Sequence, residues 1–149
     1  MNRIAAAASI VLACGLACSG LDVKTGTYAN MQDAKLAIDT GIIPPGLPPS
    51  SYELRAAYVP DSWQRWGIIN FPHEGAEDLR RMVKPEEISL QGVRVDIPPR
   101  VEWWPVQLRK TLDDERVKAT GVKAYHTPNG KMIVVVNWPQ GRAYYWTLH

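Results

Sequence analysis

The chain has 149 residues, 46% of them hydrophobic and 21% charged, with 17 basic side chains against 15 acidic ones. That length suits one domain, and the composition is that of a chain that folds around a core. Lys and Arg are spread without a basic cluster, which argues against nucleic acid as a partner.

The N-terminal stretch carries one positive side chain, Arg3, followed by fourteen uncharged residues from Ile4 to Ala17. Small residues then surround a cysteine in Leu16-Ala17-Cys18-Ser19-Gly20. A basic start, a short apolar run and a small-residue end are the features of an export signal. The run is too short to cross a bilayer, which takes roughly 20 apolar residues. On these residues the chain resembles bacterial lipoprotein precursors. The resemblance implies that residues 1–17 are a cleaved signal peptide and that the Cys18 thiol is acylated. It further implies lipid attachment to the membrane, facing the periplasm. Ser19 stands where Asp would mark inner-membrane retention, so the outer membrane is expected. Cys14 is the alternative: Val11 is a better residue than Gly15 three places before the cysteine. Against it, the apolar run before Cys14 is only about ten residues, near the low end for a signal. Acylation there would also leave Cys18 as a lone thiol in an oxidising compartment. Two or three acyl chains on one residue hold firmly, since each buried methylene contributes about 0.8 kcal/mol.

After the signal, residues 18–30 read as a lipidated tether and residues 31–149 as the domain. Met31 to Thr40 is predicted to be helical, with Asn30 as N-cap and Gly41 as the C-terminal stop. The segment Gly41 to Ser50 carries four prolines and must be an extended connection pinned by Ile42, Ile43 and Leu47. Ser50 and Glu53 have the spacing of a capping box, which predicts a helix to about Tyr58. Arg65 to Phe71 reads as a strand closed by Pro72. His73 to Met82 reads as a helix with acids first and arginines last. Pro85-Glu86-Glu87 starts a short turn or helix. Val93 to Ile97 alternates as a half-exposed strand. One short helix is expected near Pro105, and Asp113 to Arg116 reads as a solvated charged turn.

The last third gives the clearest pattern. Val122 to His126, Lys131 to Trp138 and Ala143 to Leu148 are strand-like, separated by Pro128-Asn129-Gly130 and Pro139-Gln140-Gly141. They predict a three-stranded antiparallel meander. Its middle strand is apolar on both faces, so both faces should be covered. The fold class is therefore α+β: a single small domain with that meander, two to four short helices and one or two further strands.

From Gly41 onward the chain is similar to small uncharacterised bacterial lipoproteins of the YbbD head-domain type. The residues that carry the likeness are Ile43-Pro44, Leu47-Pro48, Ser50-Ser51, the strand from Trp66 to Phe71, Trp103-Trp104-Pro105 with Leu108, and the terminal meander. The resemblance implies a structural or protein-binding role and no established activity.

No nucleophile elbow, phosphate loop or zinc-protease motif is present in the sequence, and no cofactor or metal is expected. His73 and Glu77 share a helical spacing, but the acidic first turn explains them. Asp113, Asp114 and Glu115 sit among basic residues and read as a solvated face, not as paired catalytic acids. Trp63, Trp66, Trp103 and Trp104 lie in or beside loops and form a candidate binding surface, for a sugar face or a protein partner. Trp138, Tyr144 and Trp146 lie in the meander and are assigned to packing. The function expected is thus a lipid-anchored, non-catalytic binding or structural domain. Its partner would be an envelope protein. The alternative is a sugar- or peptidoglycan-binding module, and a weaker one is a cell-envelope hydrolase.

Overall fold

The computed structural model describes residues 22–149. Cys14, Cys18 and the signal 1–17 lie outside the described residues. In chain order the strands are β1 (Lys24–Asn30), β2 (Tyr52–Tyr58), β3 (Arg65–Asn70), β4 (Arg94–Val95), β5 (Lys110–Thr111), β6 (Lys123–His126), β7 (Met132–Asn137) and β8 (Arg142–Thr147). The helices are α1 (Lys35–Asp39), α2 (Ala76–Arg81) and α3 (Asp114–Lys118), with 3₁₀ turns at His73–Gly75 and Val106–Leu108.

The predicted meander forms as β6-β7-β8. It is half of a six-stranded antiparallel sheet ordered β1-β2-β3-β8-β7-β6, with a separate β4–β5 ribbon. The fold is α+β, as the sequence pattern requires. Strand β7 has β8 on one side and β6 on the other, and its residues Ile133 to Val136 are buried on both faces. Ile133 and Val135 belong to one core with Trp66, Trp104, Leu108, Val117 and Trp146. Val134 and Val136 belong to the other, with Ile43, Leu54, Ile69, Phe71, Leu79 and Tyr145. The first core is closed by the β4–β5 ribbon, the 101–108 segment and α3. The second is closed by α1, the proline-rich connection and α2. At the outer edge of β6, Lys84 and Ile88 donate backbone hydrogen bonds of 2.8 Å to His126 and Ala124, which shields that edge in part.

Two expectations are corrected. The segment Tyr52–Tyr58 is a strand, not a helix. Its Glu, Leu, Arg and Ala residues favour a helix locally, but a place between two strands overrides that preference. The presumed cap is a turn instead: the Ser51 N–H and hydroxyl both donate to the Pro48 carbonyl, at 2.9 and 2.7 Å. Glu53 takes a left-handed φ of 46° at a bulge between Tyr52 and Arg55. The domain also begins earlier than Met31. Val23 is buried in the first core and Lys24–Asn30 pairs with β2, so most of the presumed tether is sheet.

The other elements depart by smaller amounts. The predicted helix from Met31 is shorter, Lys35–Asp39, and starts at Ala34 without a side-chain cap; the Asn30 Oδ1 accepts the Asp33 N–H at 2.9 Å in the turn that precedes it. Val93–Ile97 contributes only the two-residue strand β4. The charged turn at Asp113 is the start of α3, with the Asp113 carboxylate accepting the Arg116 N–H at 2.9 Å.

Candidate functional site

The four candidate tryptophans do not form one surface. Trp66 and Trp104 are buried, at 4% and 1% exposure. Trp104 anchors the first core: its ring stands edge-on to Tyr144 and Trp146, each at 6.0 Å, and its Nε1–H donates to the Leu108 carbonyl at 2.7 Å. Only Trp63 and Trp103 reach solvent, and each is held up by an arginine fork.

Trp63, 46% exposed, sits in the loop between β2 and β3. Arg65 Nη1 donates to the carbonyls of Val59, Ser62 and Gln64 at 3.3, 2.8 and 2.8 Å, which fixes that loop. The indole stands edge-on to the His149 ring at 5.0 Å. It borders an apolar groove of about 350 Å³ shared with Pro44, Pro45, Met82, Met132 and Leu148.

Trp103, half-buried, is presented by the 101–104 turn. Arg109 clamps that turn: Nη2 donates to the carbonyls of Val101 and Trp104 at 3.0 and 2.8 Å, and Nε to Trp104 at 3.2 Å. Trp103 walls a polar cleft of about 450 Å³ with Thr27, Glu53, Arg55, Ile68, Asn70 and Arg142. The register explains the gathering. Thr27, Arg55 and Ile68 are aligned across β1, β2 and β3, and Asn70 pairs with Arg142 across β3 and β8.

Asn70 organises the cleft. It is 8% exposed, its Nδ2 donates to the Glu53 carbonyl at 3.0 Å, and its Oδ1 accepts Arg142 Nε–H at 2.9 Å. That bond orients the Arg142 fork and leaves its two terminal nitrogens for a ligand. Among the described residues neither Arg55 nor Arg142 is in an ion pair, and Arg55 makes no side-chain hydrogen bond. The residues lining the cleft thus include two arginines and one acid, Glu53, beside a half-buried tryptophan. A second hollow of about 290 Å³, with Gln107, Asn137, Gln140 and Tyr144, opens off Arg142.

This arrangement suits a carboxylate, which a guanidinium grips with paired hydrogen bonds, next to a flat apolar face. Two-acid glycoside hydrolysis needs a second carboxyl about 5 to 9.5 Å from the first, and this cleft holds only Glu53. His73 and Glu77 are exposed, and among the described residues no group of three or more His, Cys, Asp or Glu gathers to hold a metal ion. The sequence pattern singled out Trp103 but not Arg55, Asn70 or Arg142, which come from three strands and share no local motif. Comparisons with models of protein families, with curated proteins and with solved structures find no match for the chain.

Proposed function

We propose that this protein is a lipid-anchored lipoprotein of the bacterial cell envelope, held by acylated Cys18, whose periplasm-facing domain binds a partner without catalysing a reaction. The observation that carries the binding reading is the pair of unpaired guanidiniums, Arg55 and Arg142, with Trp103 beside them. Two arginines outside any ion pair lining a cleft with one acid leave a net positive charge there, which favours an anionic group on the partner. The partner in this reading is an envelope protein presenting a carboxylate. The second reading is a peptidoglycan-binding module, favoured by the half-exposed indole of Trp103 among polar side chains.

The test is capture of partners from a detergent-solubilised envelope by the lipidated protein and by its Arg55→Ala variant. Arg55 is exposed, so its removal leaves the fold intact. A charge-assisted hydrogen bond of about 1.5–3 kcal/mol predicts that the variant loses roughly tenfold or more in affinity. Capture of the same partners at the same level by both proteins would sink the cleft as the binding site. Co-sedimentation with purified peptidoglycan, weakened by the same substitution, would select the second reading.

A further inference from the structure

We infer that the end of the sheet bearing Trp63 is seated on the membrane surface, with the Trp63 indole in the lipid interface beside the anchor. The inference rests on the proposed acylation of Cys18. One row of pairings runs across this end: Lys24 with Tyr58, Tyr58 with Arg65, and Thr147 with Met132. The row is closed between β3 and β8 by the Arg65 N–H, which donates to Thr147 Oγ1 at 2.9 Å. It brings together the start of β1, the 59–64 loop, the 127–131 turn and Leu148.

The length of chain outside the fold limits how far the start of β1 lies from the anchor. Val23 is 6% exposed, so the domain is already rooted there. Five residues from Cys18 to Val23 span at most about 17 Å. Strands lie about 4.8 Å apart, and the Trp63 loop joins the second and third strands, so it stands roughly 10 Å from the strand that leads to the anchor. The opposite end, with Asn70 and Arg142, is about 17 Å farther along the strands.

The chemistry of this end fits the interface. Trp63 is the one tryptophan that is both well exposed and at this end. Trp66, Trp104 and Trp146 are buried, while Trp103 and Trp138 flank the opposite end. Interfacial tryptophans place an apolar ring with a polar edge at the headgroup level. Pro45, Pro128 and Leu148 extend the apolar rim. Lys24 is paired with Asp22 at 3.5 Å, Arg65 turns into its own loop, and the exposed Lys131 and Asp61 carry opposite charges. The charges at this end largely offset one another, so contact through Trp63 and the apolar rim should not be released by salt. The orientation also directs the Arg55–Arg142 cleft away from the lipid.

The acylated full-length product is reconstituted in phosphatidylethanolamine–phosphatidylglycerol vesicles, with and without brominated acyl chains. Brominated lipid is expected to quench part of the tryptophan emission of the wild type. Trp63→Ser should remove most of that quenching while keeping the emission of the buried rings, which reports an intact fold. Equal quenching in both proteins, or none in either, would overturn the membrane seat and leave the anchor standing. A mass showing no acyl group on the purified protein would overturn both.

Discussion

Asp114 joins two layers through one carboxylate. Its Oδ1 accepts the Leu90 N–H at 2.8 Å, and its Oδ2 meets Lys118 Nζ at 3.0 Å, one turn along α3. The Leu90 N–H, followed by the Lys118 hydrogen bond, holds this carboxyl below its ordinary value of 3.8. The folded state thus prefers the ionised form. Its contribution to stability is full above the unfolded value and is lost as pH falls through the lower folded one. Asp114→Asn is therefore predicted to lower the urea midpoint near neutral pH. The gap from wild type should shrink as pH falls below about 4, because the wild type then loses the same interaction. A gap constant with pH would show that the carboxylate's charge is not the cause. The run of acids at 113–115 hides this difference. Asp113 caps a helix and Asp114 ties it to the 88–92 segment, although they are adjacent and chemically identical.

At the scale of the element, β2 and its neighbours depend on small residues in one row. Gly26, Ala56 and Gly67 are aligned across β1, β2 and β3. A Cβ on Gly26 would collide with the Tyr28 ring, and one on Gly67 with the Tyr145 ring. The row is a trough that those rings fill. Tyr145 is fully buried there and its hydroxyl donates to the Ile42 carbonyl at 3.0 Å, so the ring has no room to retreat. Burial also raises the pKa of that hydroxyl, which keeps it a donor. Gly67→Ala is predicted to destabilise the domain by about 1–3 kcal/mol through overpacking, read as a lower urea midpoint with unchanged m-value. A midpoint equal to wild type would mean that the ring shifts freely. The trough also accounts for Ala56, whose small side chain lies between the two glycines. Helix propensity and a need for small side chains select the same residue.

Across the whole molecule, one end carries the start of β1 and Trp63, and the other carries the Arg55–Arg142 cleft. If Cys18 holds the protein to the membrane, Cys18→Ser is predicted to move it from the membrane to the soluble fraction of the envelope, with the same unfolding midpoint. Retention of the variant in the membrane fraction would point to Cys14 or to an uncut signal. Among the described residues no helix is long and apolar enough to cross a membrane.

What the sequence by itself determined was local and periodic. Apolar residues on both faces of Met132–Asn137 required a central strand with two covered faces. Pro128, Gly130 and Gly141 required the two turns that flank it, Gly130 and Gly141 taking positive φ of 71° and 68°. The acid-to-base order of 76–81 complements the dipole of α2. What only the tertiary structure decided was anything set by a partner distant in sequence. The place of β2 between β1 and β3 overrode its own helix preference. Core packing took Trp66 and Trp104 out of the candidate surface and left Trp63 and Trp103 at opposite ends. Antiparallel register brought Arg55, Asn70 and Arg142 into one cleft. Periodicity reports which side of an element is apolar. Which residues meet across a sheet is fixed by pairing register, and that is a property of the whole chain.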